Sequence, residues 1–429
     1  MQTATDFQQP PCANDLFNRR LGLFIHWGLY AIPGYHEQHQ QRLGVSREEY
    51  GKLARQFHPD RFNPDQWAIL AKQAGLDYLI LTVKHHDGFC LWSTQATDFA
   101  VHHTPFACDI VEKLAAACAR HGLRFGVYYS CVDWHHPNYP NLGRHHELKG
   151  PQPGDHPEMG KYLDFVRAQI QELCDGRYGE FCAFWWDMNV PEHQDASINQ
   201  LIKALQPGCL INNRGYGAGD FSTPEREWDT NHAWQPFEQK VEACNSLDAL
   251  SWGFRNDPEF YTTRHLQAAI CKYLSRGGNY LVNVGPDASG LITESYQARL
   301  LEIGSWFQKV REALVSADVI EPLLSVPSQI VTRRGNTLYL QLVESPSSEG
   351  VCLKPISLAP QRVTLMNSGE PVEFVVDCLP YEPDRTRNFL RLKLPTRVFT
   401  KEVPVIKLEF GADPFEGRRD VENSAAEKI

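Results

Sequence analysis

None of the 12 cysteines forms a Cys-x-x-Cys pair. That excludes a zinc ribbon and a dithiol redox motif, and leaves scattered thiols that behave as small core hydrophobes. No apolar run approaches the ~20 residues needed to span a bilayer. Residues 1–20 carry no apolar stretch of the signal-peptide kind, so a cytoplasmic protein with free cysteines is expected. Basic charge is in deficit: 42 Lys and Arg face 52 Asp and Glu, a net charge of −10. This argues against nucleic acid and anionic membrane as partners. No Gly-x-Gly-x-x-Gly follows the first apolar run, and no Gly-rich turn with clustered lysines offers a phosphate site. Short-period repeats and low-complexity segments are also missing.

What is present is core. Hydrophobic residues make up 42% and aromatic residues 11%, with 10 Trp. A chain of 429 residues exceeds what one core usually holds, so two domains are expected: 1–320, 321–412, and a polar tail over 413–429. In the first, β-rich runs alternate with helical patterns. The runs are 21–30 (LGLFIHWGLY), 77–89 (DYLILTVKHHDGF), 124–134 (RFGVYYSCVDW), 181–188 (FCAFWWDM), 209–214 (CLINNR) and 279–286 (NYLVNVGP), with weaker candidates at 225–230 and 249–254. Helices are expected at 65–75, 109–122, 157–174, 197–205, 262–276 and 293–313. About eight such units predict a parallel (β/α)8 barrel; a doubly wound open sheet is the alternative. Past residue 325, short β-rich runs separated by Pro, Gly, Ser and Asn predict a C-terminal antiparallel β-sandwich.

The run at 181–188 draws the eye first, because it is aromatic, short and ends in Asp187. On a barrel the C-terminal ends of the strands form the catalytic face. There Asp187 joins His26, Trp27, Lys84, His85, His86, Asp87, Tyr128, Tyr129, Asp133, Trp134, Asn212, Asn213, Arg214, Glu225, Glu227, Trp252 and Asn283 around one expected bowl. Flat aromatic faces with His, Asn and Arg suit a sugar ring, which has CH-rich faces and hydroxyl edges. Glycoside hydrolysis needs two acids. Asp187 is the best-placed candidate for one. Glu225, Glu227, Asp229 and Glu242 are candidates for the other, with Asp87 and Asp133 less favoured, and spacing does not choose among them. Trp185 and Trp186 should face opposite sides of their strand.

Five blocks resemble the α-L-fucosidases of glycoside hydrolase family 29. They are FIHWG (24–28), KHHDGF (84–89), FGVYYS (125–130) with Asp133-Trp134, INNR (211–214) and GGNYLVNVGP (277–286). The resemblance spans residues 17–315 in chain order. It implies a (β/α)8 barrel followed by a β-sandwich, and retaining hydrolysis of terminal α-L-fucose or a closely related L-sugar with no metal or other cofactor. Asp187 then corresponds to the nucleophile. Asp220-Phe-Ser-Thr-Pro-Glu225 fits the general acid/base stretch of one subset. His26, His85, His86, Tyr128, Trp185 and Arg214 would hold the sugar. Where members carry a loop Trp and a Glu-Trp-Tyr that touches it, this chain has Tyr35 and Glu48-Glu-Tyr50, so Glu48 stands as the sugar-contacting acid. Met188 follows Asp187 where many members have Gly. The implied partner is a fucosylated oligosaccharide or glycoconjugate, with a homo-oligomer allowed.

Bland readings compete. Adjacent His85 and His86 point different ways on a strand and lack a His-x-His companion, which disfavours a metal site. Arg214 could be a core salt bridge, and Glu225 a surface acid. His145 and His146, in a polar loop, are expected to be solvated. A degenerate sugar-binding barrel and a metal-dependent hydrolase are the other function classes.

Overall fold

The computed structural model describes residues 16–226, 235–321, 323, 329–345, 348–354, 356, 358–378, 389–394 and 401–416. Glu227, Asp229 and residues 417–429 of the expected tail lie outside the described residues. The described chain forms two compact units. One comprises Met1–Arg226, Gln239–Tyr261 and Asn279–Gly304, the other Glu227–Glu238, Thr262–Gly278 and Ser305–Ile429.

The first unit is built on seven parallel strands: β1 Leu21–Ile25, β2 Tyr78–Lys84, β3 Arg124–Ser130, β4 Ala183–Asp187, β5 Leu210–Ile211, β6 Glu242–Ser246 and β7 Asn279–Val284. They run in the order β5-β4-β3-β2-β1-β7-β6. All residues of β1 to β4 are buried, as expected for strands covered on both faces. The gap between β5 and β6 is filled by residues 221–225. Parallel bridges tie Asn212 to Phe221, Ser222 to Val241 and Glu225 to Cys244. The Asn213 amide donates to the Phe221 carbonyl (2.9 Å), and Cys244 to Pro224 (3.1 Å). This segment is the eighth stave of a closed barrel. Pro224 has no N–H to give, so the ladder there is broken.

The helices of the described chain are α1 Leu16–Arg19, α2 His39–Leu43, α3 Arg47–Gly51, α4 Pro64–Gln73, α5 Ile110–Arg120, α6 Met159–Cys174, α7 Ala196–Leu205, α8 Thr263–Leu274 and α9 Glu294–Val315. Asn63, Asp109, Asp195 and Thr262 cap α4, α5, α7 and α8 through side-chain oxygens. Helices α8 and the end of α9 group with the second unit.

Two corrections to the strand reading follow. Residues 249–254 form no strand; of the strand expected at 225–230, residues 227–230 lie outside the described residues, and Glu225 belongs to the bridged segment that starts at Phe221. In addition β6 (EACNS) was missed, because its buried residues are small or polar rather than a hydrophobic run.

The second unit holds a five-stranded sheet in the order β12-β15-β10-β9-β8 and a three-stranded sheet in the order β11-β14-β13. Here β8 is Asp318–Ile320, β9 Ile330–Arg334, β10 Thr337–Gln341, β11 Gly350–Leu353, β12 Arg362–Leu365, β13 Glu373–Asp377, β14 Phe389–Lys393 and β15 Val405–Glu409. All pairings are antiparallel. Alternate residues such as Leu338, Leu340, Leu390, Leu392, Ile406 and Leu408 make the buried core.

Candidate active site

At the C-terminal ends of the barrel strands lies a cleft of about 390 Å³, mouth included, lined by residues of the first unit. Asp187 closes β4 and is almost fully buried. Its Oδ1 accepts from Arg214 Nη1 at 3.0 Å, and its Oδ2 from the Tyr128 hydroxyl at 2.6 Å. Burial alone would raise its carboxyl. The Arg214 charge and the hydrogen bonds from Tyr128 and Arg214 outweigh burial and hold it below the ordinary aspartate value.

Glu225 ends the eighth stave. The same Arg214 Nη1 donates to its Oε1, and Nη2 donates to the Thr223 carbonyl. One guanidinium nitrogen therefore bridges two carboxylates, which stand within two hydrogen-bond lengths (roughly 6 Å) of each other. Burial lifts Glu225, Arg214 pulls it down and the Asp187 charge lifts it again; the net result is above the ordinary glutamate value. The guanidinium lies 5.0 Å over the Trp185 ring.

The histidines are neutral, and their partners fix their tautomers. Asn283 Nδ2 donates to Ser246 Oγ and the Trp252 carbonyl, so its Oδ1 must accept from His26 Nδ1 (2.6 Å). Ser130 donates to the Val132 carbonyl, so it accepts from His86 Nδ1 (2.7 Å). In both rings Nε2 is left as an acceptor. Burial pushes His26 down to about 4 and His86 to about 3. The 3.9 Å approach of His86 Nε2 to Asp187 is therefore no ion pair near neutrality. His85 is also lowered well below the ordinary imidazole value, by burial and then by neighbouring imidazoles, and stacks on Tyr128 at 5.6 Å. Its buried Nδ1 has no hydrogen-bond partner.

The cleft thus brings together Asp187, Glu225, His26, His85, His86, Tyr128 and Trp185, with Arg214 bridging the two acids. It does not include Glu48, which is exposed on α3. Its acidic place is taken by Glu37, 3% exposed, which accepts from Ser251 Oγ and from the Trp252 and Gly253 amides. The hydroxyl of Tyr50 donates instead to Asp87, below the cleft. Alternation along the strands removes other members of the expected bowl. Lys84 turns outward to Asp133 at 2.9 Å, Tyr129 bonds Gln169, and Trp27 packs against Phe57, Phe62 and Trp67. As expected, Trp185 faces the lumen and Trp186 faces the helices, bonding Asn199. Asn212 pairs its amide with the Trp186 backbone in both directions. Glu242 lies in the barrel interior and does not line the cleft.

Sequence reasoning missed Glu37, Gln38, His146, Met188 and Cys244. His146, expected in solvent, lines the wall with a left-handed backbone (φ 62°), its Nδ1 2.5 Å from Gln38 Nε2; His145 is exposed. Met188 is also left-handed (φ 59°). Among the described residues no group of three or more His, Cys, Asp or Glu could hold a metal ion. No helix there is long and apolar enough to cross a membrane.

The family model described as Alpha-L-fucosidase matches residues 2–312. The tissue α-L-fucosidase of Mus musculus is 28% identical over 85% of this chain and 87% of its own length. The plasma α-L-fucosidase of Homo sapiens is 26% identical over 83% of this chain and 82% of its own. Among solved structures, α-L-fucosidase isoenzyme 1 from Paenibacillus thiaminolyticus superimposes with a TM-score of 0.79, at 30% identity, over 92% of this chain and 97% of that one. A family 29 α-L-fucosidase from Bacteroides thetaiotaomicron, trapped as a covalent intermediate with 2-fluoro-fucosyl fluoride in a glutamate-to-glutamine mutant, gives 0.74 at 27% identity, over 95% of this chain and 98% of that one.

Proposed function

The chain belongs to the α-L-fucosidase family of glycoside hydrolases, family 29, and on that footing we propose that Asp187 is its nucleophile and Glu225 its general acid/base. The reaction is retaining hydrolysis of terminal α-L-fucose by double displacement. Asp187, kept ionised by Arg214 and Tyr128, attacks the anomeric carbon and forms a glycosyl ester. Glu225, whose carboxyl is raised above the ordinary glutamate value, gives a proton to the departing oxygen. It then takes one from the water that cleaves the ester. The neutral His26 and His86 offer Nε2 acceptors to sugar hydroxyls, and Trp185 and Tyr128 offer apolar faces to the ring.

The observation that carries the assignment is the shared guanidinium. It holds two carboxyls within two hydrogen-bond lengths (roughly 6 Å) of each other and pulls both down; burial and the Asp187 charge still leave Glu225 above its ordinary value, while Asp187 stays below its own. Glu37 stands where the sequence reading had Glu48, as the cleft's further sugar-contacting acid. The eleven described cysteines are all free thiols, which supports a reducing, cytoplasmic setting.

The test is hydrolysis of an aryl α-L-fucoside by wild type, Asp187→Ala and Glu225→Ala. Wild type should turn over, and Asp187→Ala should lose about 10³-fold or more in kcat. Azide should rescue Glu225→Ala with formation of a fucosyl azide. An inactive wild type refutes the function, and an undiminished Asp187→Ala refutes the assignment.

A further inference from the structure

Glu242 is the first residue of β6, fully buried in the barrel lumen. No ion pair reaches it among the described residues; its partners are neutral donors. Its Oε2 accepts from the Tyr78 hydroxyl at 2.6 Å and lies 3.4 Å from Asn279 Nδ2. Its Oε1 accepts from Trp185 Nε1 at 3.2 Å. The sequence makes room for this. Gly22 lacks the Cβ that would stand 2.5–2.8 Å from the Tyr78 ring, so the phenol can cross the lumen. A carboxylate without a counter-ion is costly in such a place, and an apolar residue of the same size would be cheaper. What it does that an apolar residue cannot is grip the indole N–H of Trp185.

Trp185 is also the platform of the site above. Its ring carries Arg214 at 5.0 Å, stacks with Tyr128 at 5.9 Å and meets Phe24 edge-on at 5.3 Å. An indole N–H donated to an anionic acceptor pushes electron density into the ring and deepens its negative face. A guanidinium over that face is then held more firmly. We propose that Glu242 is a positioning residue that acts through Trp185 on Arg214, and so on the guanidinium that joins Asp187 to Glu225. This rests on the catalytic reading of those two acids.

The titratable groups around Glu242 are Tyr78 from β2, Cys182 beside that phenol, and Cys244 two residues on in β6; Asn279 from β7 and Trp185 from β4 do not ionise. Burial, opposed by its three hydrogen bonds, pushes Glu242 up to about 7. Its ionisation is therefore visible in an accessible pH range.

The experiment follows the Trp185 indole resonance in ¹⁵N-tryptophan-labelled protein, assigned by Trp185→Phe, across about pH 5 to 9. In the wild type it should move with a midpoint near that of Glu242, and in Glu242→Gln the movement should vanish. The same variant should lose about tenfold in kcat on an aryl fucoside, with KM changed far less. Tyr78→Phe, which removes one donor to the carboxylate, should shift the midpoint upward, and it serves if Glu242→Gln does not fold. A pH-invariant indole resonance in the wild type overturns the proposal. So does a folded Glu242→Gln with wild-type kcat, or a Tyr78→Phe midpoint that stays in place. Absence of fucosidase activity in the wild type would remove the catalytic reading instead, while the resonance would still report the Glu242–Trp185 link.

Discussion

Arg214→Leu is the perturbation that probes the site most directly. The guanidinium donates at 3.0 Å to Asp187, and the two side chains are 21% and 8% exposed. Opposite charges about 4 Å apart interact by roughly 4 kcal/mol at an effective dielectric near 20. The cleft is open at its mouth, which reduces the usable part to about 2–3 kcal/mol. At about 1.4 kcal/mol per tenfold, kcat/KM should fall about 30- to 150-fold. The pH profile carries a second signature. Without Arg214, Asp187 keeps the Tyr128 hydrogen bond but loses its largest counterweight to burial, and its carboxyl rises; Glu225 loses the charge that pulls it down and rises too. Both limbs of the kcat/KM profile should move to higher pH. Arg214→Lys restores the charge without the fork and should fall between. The assay is kcat/KM on an aryl α-L-fucoside across pH, with thermal unfolding to confirm the fold. A folded Arg214→Leu within threefold of wild type and with an unmoved profile would refute the reasoning.

Two further outcomes follow from the same geometry. The wild-type kcat/KM profile should be bell-shaped, with an acid limb below the ordinary aspartate range set by Asp187 and an alkaline limb above the ordinary glutamate range set by Glu225; an Asp187→Asn variant that keeps the acid limb would reverse that assignment. Gly215→Ala would put a Cβ 2.2–2.8 Å from the Trp186 indole, which is anchored to Asn199 at 3.0 Å, and should cost about 1–3 kcal/mol in urea unfolding; a cost under about 0.5 kcal/mol would mean that the Trp186 packing is looser than described.

The strands that were legible are those whose burial coincides with an apolar run. Strands β2 and β4 are buried at every residue, and only Thr82, Lys84 and Asp187 interrupt their hydrophobic sequence. Strand β6 was illegible for the opposite reason. Glu242 turns into the lumen and meets a phenol and an indole, so polarity there signals an internal network rather than a loop. The eighth stave was blurred by Pro224, which breaks the ladder. Residues at strand ends inherit their place from the barrel, which is why Asp187 could be found from its position alone. Loop residues inherit nothing of the kind. Glu37 reaches the cleft because Ser251, Trp252 and Gly253 tie it down from more than two hundred residues away, and no local pattern announces that. Glu48 looked equivalent in sequence, but sits on an exposed helix.

One physical cause, burial, therefore leaves some groups of the cleft neutral and others charged, and partners decide which. It strips the proton-binding ability of His26, His85 and His86, which keeps imidazolium away from a sugar that becomes positive in the transition state. It raises Glu225, as the proposed role of general acid requires. It would raise Asp187 and Glu37 as well, but each is well supplied with partners: Arg214 and Tyr128 for one, His36 at 3.4 Å, Ser251 and two backbone amides for the other. Both therefore stay below their ordinary values. The negative charge that must face the developing cation is thus not a property of carboxylates in a buried pocket, which would prefer to be neutral. It is imposed by the count of donors aimed at each one, and Arg214, aimed at two, is where that count is decided.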